Sequence, residues 1–242
     1  MRFQTPLIRA TLLRRYKRFL CDIRLDTGQE VTAHCPNPGS MLGLAEPGCE
    51  IWVEPNNDPK KKLKYGWRLV KVGATDWAGI DTSLPNKIVR EALLSHRIEP
   101  LANYSEIRAE VPYGDKSRID FLLMSETKPS AYVEVKSVTL KRDTELAEFP
   151  DCITTRGAKH LIELCRIIES GQRAIMIYVI QRTDCTRFRV AANLDPNYGR
   201  CFEEARAAGV EMLCYDTHIS PKEISLKNAV KLEKVVPAFG QG

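Results

Sequence analysis

Two stretches of the chain, SRIDFLL at 117–123 and AYVEVKS at 131–137, alternate polar and apolar side chains in the way that is typical of β-strands. Asp120 is the acidic residue of the first stretch, and Glu134 and Lys136 are the charged residues of the second. Side chains two residues apart share a face of a strand, and the seven residues between the stretches suffice to join antiparallel neighbours. The sequence therefore predicts that these three side chains lie on one face of adjoining strands.

This combination of residues suits metal-assisted phosphodiester chemistry. The carboxylates of Asp120 and Glu134, with the backbone carbonyl of Val135, offer the oxygen ligands that Mg²⁺ or Mn²⁺ prefers. Such a cation neutralises phosphate charge and lowers the pKa of a bound water, and Lys136 beside it can orient that water. We therefore predict Asp120, Glu134 and Lys136 as catalytic residues. The alternative is a simple ion pair between Glu134 and Lys136 on a solvated strand face.

The helical pattern before these strands supplies one more acidic group. Residues 84–98 place Ile88, Ala92 and Leu93 at the spacing of one helix face. Glu91 lies on the same helix, and it is a candidate metal ligand or a support for one. A solvent-facing helix residue is the alternative interpretation.

Basic residues accompany the predicted site and are candidates for phosphate contacts. Residues 153–169 form the clearest helical pattern, with an apolar stripe and Gly171 as its stop signal. The polar outer face of an amphipathic helix is an alternative use for its charged residues. The candidates near the site are Arg118, Arg156, Lys159 and His160.

Strands and helices alternate through the second half of the chain, which predicts a mixed α/β sheet with helices on its faces. Gly114-Asp115 is predicted as the turn of a β-hairpin. We assign residues 83–242 to this α/β domain. Strands are predicted at 106–112, 117–123, 131–137, 173–180 and 210–215, and helices at 84–98, 153–169 and 199–208.

Residues 1–82 contain mostly short β-patterns separated by Gly- and Pro-rich turns. Five short strands at this spacing favour a small barrel of the OB type, a fold that often binds nucleic acid. We therefore predict an N-terminal OB-like β-barrel domain over 1–82. Its strands are predicted at 7–12, 19–25, 30–34, 50–54 and 68–72.

Positive charge is concentrated at the front of the chain. Residues 1–83 hold 13 basic and 9 acidic residues, a balance of +4, while the whole chain carries +5. This distribution is typical of a surface that meets a polyanion, although a solvated face is the alternative. The candidate nucleic-acid contacts form two clusters, Arg14, Arg15, Lys17 and Arg18 in one and Lys60, Lys61, Lys62 and Lys64 in the other.

Aromatic residues are interleaved with both basic clusters. Tyr16 and Phe19 accompany the first cluster, and Tyr65 and Trp67 accompany the second. Exposed rings of this kind stack on unpaired bases, whereas buried rings fill a barrel core. We predict that Phe19 and Trp67 belong to the barrel core.

Composition excludes several classes of protein. Hydrophobic residues make up 43% of the chain and charged residues 28%, which is typical of globular domains. The longest apolar run, at 174–180, is far shorter than the ~20 residues of a membrane span, and the N-terminus lacks the apolar segment of a signal peptide. We therefore expect a cytoplasmic protein without a membrane partner. The eight cysteines form no C-x-x-C pair, and neither a zinc site, a disulfide framework nor a small-molecule cofactor is expected.

The order of these residues resembles the PD-(D/E)xK nuclease superfamily, and the whole chain is identified as a member of the sugar fermentation stimulation protein A family. The pair Pro150-Asp151 comes after the Glu-x-Lys stretch and so is not the first motif of the superfamily. The matching stretches are HCPNPGSM at 34–41, RIDFLL at 118–123, VEVKSVTL at 133–140, FPD at 149–151, TRGAKHL at 155–161 and DP at 195–196.

The resemblance implies a small OB-like domain followed by a nuclease-like domain, non-specific DNA binding, and a regulatory role in sugar metabolism, particularly that of maltose. On the superfamily pattern, Asp120 and Glu134 match the metal carboxylates, Lys136 the catalytic lysine and Glu91 the helix glutamate. Three hypotheses of function result. The first is sequence-independent DNA binding through phosphates, the second is Mg²⁺- or Mn²⁺-dependent cleavage of phosphodiesters, and the third is a regulatory module whose nuclease site is vestigial.

Overall fold

The computed structural model describes residues 1–114 and 117–235. The first part of the chain forms a sheet with the strand order β3-β2-β1-β4-β5-β6. Its strands are β1 (Ile8–Tyr16), β2 (Leu20–Leu25), β3 (Glu30–His34), β4 (Glu50–Pro55), β5 (Tyr65–Val72) and β6 (Asp76–Gly79). His34 of β3 also pairs in parallel with Gly66 of β5, which closes the first five strands into a barrel. The predicted OB-like barrel is confirmed.

Apolar side chains on the inner face of each strand fill this barrel. Leu12 and Trp67 are fully buried there, as predicted for Trp67. The same prediction for Phe19 is wrong, because 46% of this residue is exposed. Phe19 comes directly after Lys17 and Arg18, whose φ values of 48° and 60° turn the chain between β1 and β2. It therefore stands outside the inward–outward alternation of the strands.

The second part of the chain contains a six-stranded sheet with the order β15-β14-β12-β9-β8-β7. Strands β9, β12 and β14 run parallel, and the outer strands pair antiparallel. The elements are α1 (Leu84–Leu94), β7 (Glu106–Tyr113), β8 (Ser117–Met124), β9 (Ala131–Val138), β10 (Leu140–Asp143), β11 (Leu146–Phe149), α2 (Thr155–Glu169), β12 (Arg173–Ile180), β13 (Arg187–Val190), α3 (Pro196–Ala208), β14 (Glu211–Ile219) and β15 (Ile224–Ala229).

Helices cover both faces of this sheet. On one face α1 contributes Ile88 to an apolar cluster that includes Val133 of β9. On the other face α2 and α3 contribute Leu161 and Phe202 to a cluster around Met176 of β12. Burial of these apolar surfaces is the main stabilising term for such a layered domain. The predicted mixed α/β domain is confirmed.

The two strands that carry the predicted catalytic residues are antiparallel neighbours, as expected. Strands β8 and β9 pair from Leu123 to Phe121, which lies opposite Val133, and no further pair is formed between them in the described chain. Strand β8 also pairs with β7 as predicted, although Asp115 of the predicted hairpin turn lies outside the described residues. The sheet therefore opens between β8 and β9 at the level of Asp120.

A small third sheet has the order β10-β11-β13 and was not predicted. Each of its strands is four residues long, which is too short for a periodic pattern to be recognised. Strand β11 leads directly into residues 150–154, which connect it to α2 and border the opening between β8 and β9. The small sheet therefore positions one border of that opening.

Hydrogen bonds join the barrel to the α/β domain. The amide of Gly79 at the end of β6 donates to the carbonyl of Gln181 at 2.9 Å. On the other side, the Ser40 amide donates to the Asp151 carboxylate at 2.9 Å, and the Ser40 hydroxyl lies 3.1 Å from the Asp151 carbonyl. Within the barrel, Asn37 of the same loop donates to the carbonyl of Ile80 at 2.9 Å. The loop at 36–41 is therefore held against the second domain.

None of the helices in the described chain combines the length and the apolar composition that a transmembrane span requires.

The close approach of this loop to the second domain requires glycine at position 39. A β-carbon on Gly39 would overlap the carboxylate of Asp151. We expect Gly39→Ala to lower the free energy of unfolding by about 1–3 kcal/mol, as other substitutions that overfill a packed site do. Urea denaturation followed by tryptophan fluorescence measures this change.

The control is the same substitution in an Asp151→Ala background, where the overlapping carboxylate is absent. There the Gly39→Ala change should cost much less, because the two positions are coupled. An equal cost in both backgrounds would contradict this contact.

Candidate active site

A cavity of about 480 Å³ lies where the barrel meets the opening between β8 and β9. Asp120, Glu134 and Lys136 line it together, as predicted. The barrel contributes its loop at 37–39, and the segment at 149–154 borders the cavity from the other side. We call this cavity the interdomain pocket.

Asp120 occupies the gap left by the missing strand pairs. Its Oδ2 accepts the amide of Val135 at 2.7 Å, and its Oδ1 accepts the side-chain amide of Asn86, on α1, at 2.7 Å. The N–H and C=O groups of one strand residue point to the same side, so the carbonyl of Val135 faces this gap as well. Asp120 and the Val135 carbonyl therefore lie side by side at the gap, and their role as metal ligands stays a prediction.

Glu134 forms the floor of the pocket and is only 3% exposed. Its Oε1 accepts a hydrogen bond from Lys136 Nζ at 2.7 Å and also contacts His160 Nδ1. Lys136 Nζ lies 3.1 Å from the same His160 nitrogen. The second oxygen of Glu134, Oε2, is buried and has no hydrogen-bond partner among the described residues.

Burial and neighbouring charges shift the pKa values of the two carboxyl groups in opposite directions. Burial, and after it the neighbouring charge of Glu134, raises the pKa of Asp120 to about 6. Burial also acts to raise the pKa of Glu134, but the contacts with His160 and Lys136 outweigh it and hold that pKa below its ordinary value. The pocket therefore holds one firmly ionised carboxylate beside one that ionises only near neutrality.

These residues fit a hard divalent cation. An unpaired buried carboxylate oxygen is costly unless a partner satisfies it, and Glu134 Oε2 is such an atom. Asp120 and the Val135 carbonyl supply further oxygens beside it. No cluster of three or more His, Cys, Asp or Glu side chains suited to a metal occurs in residues 1–114 and 117–235. A cation held by Asp120, Glu134 and the Val135 carbonyl would need water to complete its coordination, as Mg²⁺ commonly does.

Glu91 does not reach this pocket, and its prediction as a metal ligand is corrected. Its carboxylate pairs with the amino group of Met1 at 2.7 Å and with Arg97 at 3.6 Å. Asn86 lies five residues earlier, about 140° around the helix, and is the α1 residue that contacts Asp120. The sequence signal for Asn86 was its position: it is a polar residue one helical turn before the buried Val89.

The candidate basic residues near the site divide into two groups. Arg156 and His160 line the pocket, and Arg156 Nε donates to His160 Nε2 at 3.3 Å. Lys159 is exposed and forms an ion pair with Glu163 at 3.5 Å. Arg118 is exposed and donates to the Glu110 carbonyl at 2.9 Å, so it does not line the pocket. Arg156 and His160 are therefore the candidates that adjoin the predicted catalytic residues.

Several lining residues were not predicted from chemistry. Asp151, set aside because it comes after the Glu-x-Lys stretch, borders the pocket and holds Ser40. Asn37 and Thr82 line it from the barrel side, and Glu148 from β11. Asn37 and Asp151 fall in the stretches HCPNPGSM and FPD that carried the family resemblance, which was the only signal for them in the sequence.

Most of the candidate basic residues of the barrel lie at two turns. Lys17 and Arg18 are exposed between β1 and β2, and Lys60, Lys61, Lys62 and Lys64 are exposed between β4 and β5. Arg14 pairs with Asp22 at 2.7 Å. Arg15 is turned inward, where it donates to the carbonyls of Asn37 at 2.7 Å and Gly39 at 2.9 Å and so holds the pocket loop. DNA contact by these residues stays a prediction, and Arg15 has a structural role as well.

Fold and site together define a class of two-domain proteins in which an OB barrel closes over a carboxylate–lysine pocket of a mixed α/β sheet. Comparison with known families agrees with both parts. Residues 13–80 match the SfsA N-terminal OB domain, and residues 83–223 match the sugar fermentation stimulation protein RE domain. The chain belongs to the sugar fermentation stimulation protein family.

Relatives in this family are similar over nearly their whole length. The sugar fermentation stimulation protein homolog of Dinoroseobacter shibae is 59% identical over 98% of both chains, and that of Agrobacterium fabrum is 48% identical over 98% of this chain and 99% of its own. A solved structure described as Pyrococcus furiosus SfsA in complex with Ca²⁺ superposes with a TM-score of 0.87, at 27% identity, over 97% of this chain and 98% of that chain.

The raised pKa of Asp120 predicts a stability cost at neutral pH. The folded protein holds this proton more tightly than the unfolded chain, so ionised Asp120 destabilises the fold above pH 6, and the cost disappears as the pH falls towards 4. Without added metal, Asp120→Asn should therefore be more stable than the wild type at pH 7.5 by about 1–3 kcal/mol. Denaturation at pH 4 to 8 measures the difference.

The Asn86 amide can turn over to keep its hydrogen bond in this variant. Asp143→Asn is the matched control, since Asp143 is an exposed carboxylate on β10, and it should show no such pH-dependent gain. If Asp120→Asn were less stable than the wild type at pH 7.5, the claim that ionised Asp120 destabilises the fold would be contradicted.

Proposed function

We propose that this protein is a divalent-metal-dependent phosphodiesterase that acts on nucleic acid. The observation that carries the proposal is the unpartnered, buried Glu134 Oε2, which lies in one pocket with Asp120 and Lys136. A metal ion is the partner that this oxygen lacks. The reaction class is inferred from the lysine beside the carboxylates, because such a group serves hydrolysis at phosphorus.

Asp120, Glu134 and the Val135 carbonyl are the groups that would hold the cation. When bound, the cation would neutralise phosphate charge and make a bound water a better nucleophile. Lys136 would stabilise the negative charge that develops on the phosphate, from a position fixed by its hydrogen bond to Glu134. His160 contacts Glu134 and receives the Arg156 hydrogen bond, so it orients the floor carboxylate.

Support for a divalent cation also comes from the relative from Pyrococcus furiosus, which is described in complex with Ca²⁺. Ca²⁺ and Mg²⁺ both take oxygen ligands, and they differ in coordination number and bond length. A relative that binds Ca²⁺ is therefore consistent with Mg²⁺ or Mn²⁺ as the working ion of this protein.

Nucleic-acid binding is proposed to depend mainly on phosphate contacts from the two exposed basic turns of the barrel. Neither turn offers a helix or strand that fits a DNA groove, so the contacts would carry little sequence information. Binding of this kind is non-specific and weakens steeply as salt rises.

A second candidate function is DNA-binding regulation without turnover, in sugar metabolism as the family name indicates. The specific observation in its favour is that three of the four carboxylate oxygens of Asp120 and Glu134 already have protein partners. A pocket in which most carboxylate oxygens already have hydrogen-bond partners can persist in a protein that catalyses no reaction. A cleavage assay separates the two candidates.

We expect the purified protein to cleave labelled DNA or RNA with Mg²⁺ or Mn²⁺ and to lose this activity in EDTA. Asp120→Asn and Lys136→Gln should each lower the rate at least about 100-fold, because each removes a group that acts on the reacting phosphate. Gel analysis of single-stranded, duplex and branched substrates measures the rates.

Lys222→Gln is the matched control, since Lys222 is an exposed lysine remote in sequence from the pocket residues. Equal cleavage by the wild type and both site variants would assign the activity to a contaminant. No cleavage by the wild type, with DNA binding intact, would favour the regulatory candidate.

Substitutions in the turn at Lys17 and Arg18 should change DNA affinity and thermal stability in opposite directions. Both residues have left-handed φ values, which asparagine and glycine adopt with less strain. The double variant Lys17→Asn, Arg18→Gly should therefore raise the melting temperature while it weakens DNA binding. The slope of log K against log salt should become shallower by about 1–2, as expected for two lost phosphate contacts.

Band-shift titrations at several salt concentrations measure that slope. The control is the double variant Lys222→Gln, Lys227→Gln, which removes the same charge from the region around β15. An unchanged affinity and slope in the turn variant, or salt-insensitive binding by the wild type, would refute the electrostatic account.

A further inference from the structure

A second cavity, of about 510 Å³, opens on the barrel. We call it the OB cleft. Strand β3 contributes His34 to it, β5 contributes Tyr65 and Arg68, and the loop between β4 and β5 contributes Lys61 and Lys62. Basic and aromatic groups therefore converge in one cleft of the domain whose fold often binds nucleic acid.

An exposed pair of rings stands at this cleft. Phe19 stacks on His34 with ring centroids 6.4 Å apart and an angle of 24° between the planes. Phe19 is 46% exposed, so part of its ring is accessible from solvent. A planar ring with a free face is a stacking platform for an unpaired base of any sequence.

The charges of the cleft favour a polyanion. Arg68 is already neutralised, by Glu54 at 2.9 Å and by Asp81. Lys61 and Lys62 are exposed, and within the described chain neither has a carboxylate within ion-pair distance. Two ammonium groups beside a stacking platform match the phosphates and bases of a single strand.

The OB cleft and the interdomain pocket are connected through residues that are neighbours in the chain. Arg68 of the cleft pairs with Asp81, and the next residue, Thr82, lines the pocket and donates to the Pro36 carbonyl at 3.1 Å. His34 of the cleft and Asn37 of the pocket are three residues apart, so their Cα atoms are separated by at most about 11 Å. A strand that leaves the cleft is therefore within a few nucleotides of the catalytic residues.

The depth of the interdomain pocket also favours a single, unpaired strand as the substrate. Glu134 lies at its floor and is 3% exposed, so a phosphate must enter the pocket to reach it. A cavity of about 480 Å³ is of the size that holds a drug-sized ligand. It can admit a nucleotide or two of one strand, whereas a base-paired segment would have to unpair first.

From these observations we infer that the substrate is an unpaired polynucleotide strand. It is held by His34, Lys61 and Lys62 in the OB cleft and by Phe19, which stacks on His34 beside the cleft, and is led from there into the interdomain pocket. This inference rests on the proposed function for its cleavage step, but not for its binding step. Stacking and phosphate pairing are common to DNA and RNA strands, so the recognising chemistry is that of a single strand.

The test measures binding by full-length Asp120→Asn, which is expected to fold and not to cleave. Fluorescence anisotropy compares a labelled dT₂₀ strand with a 20-base-pair duplex of mixed sequence. We expect the strand to bind at least 10-fold more tightly than the duplex. Adding Phe19→Ala or His34→Ala should weaken strand binding about 10-fold and duplex binding less than 2-fold, and Lys61→Gln with Lys62→Gln should weaken strand binding similarly.

Leu94→Ala is the matched control, because Leu94 is an exposed apolar residue on α1 and outside both cavities. Circular dichroism melts establish that each variant is folded. Competition of unlabelled rU₂₀ and unlabelled dT₂₀ against the labelled strand compares RNA with DNA. Equal competition indicates that the protein does not distinguish them, and weaker competition by rU₂₀ indicates a preference for DNA. Equal binding of strand and duplex, or strand binding unaffected by the ring variants, would overturn the inference.

The same variants with Asp120 restored distinguish this inference from the proposed function. Strand-selective binding without metal-dependent cleavage would leave the inference standing and contradict the proposed function. Cleavage of strand and duplex at equal rates, with no effect of Phe19→Ala, would support the proposed function and overturn this inference.

Discussion

The structure of the site depends on one hydrogen bond, which the Val135 amide donates to the Asp120 carboxylate where β8 and β9 stop pairing. In a continuous sheet that amide would be satisfied by a strand carbonyl, and no cavity would exist. Here a side chain replaces the backbone partner, so the sheet opens without leaving the donor unsatisfied. The opening gives the pocket its depth, and it brings an ionisable carboxylate next to Glu134.

The barrel is part of the site and not only an attached module. Its loop at 37–39 lines the pocket, Arg15 holds that loop from the barrel side, and Asp151 holds it from the other. The absence of a side chain at Gly39 lets the two domains approach. If the proposed function holds, nucleic-acid binding on the barrel and chemistry in the α/β domain are coupled through this shared loop.

Strand alternation was sufficient to predict the OB barrel, the mixed sheet and the grouping of Asp120, Glu134 and Lys136. It failed where the chain leaves regular geometry. Ile119 packs in the α2–α3 layer, although Phe121, two residues later, packs against α1. On the neighbouring strand, Glu110 has a left-handed φ of 55°. Glu91 and Phe19 were misassigned for related reasons, since helix rotation and turn geometry, which patterns do not reveal, decide where those side chains point. Contacts between domains, such as that of Asp151, depend on packing over long sequence separations.

The proposed function depends most on the binding of a divalent cation by Asp120 and Glu134 in the interdomain pocket. The most direct measurement is a crystal structure of the protein grown with Mn²⁺ and recorded at a wavelength where manganese scatters anomalously. We expect an anomalous peak about 2.0–2.6 Å from an Asp120 oxygen and from Glu134 Oε2. A pocket without a peak at saturating Mn²⁺, or a peak held by other residues, would contradict the assignment of these two carboxylates as metal ligands.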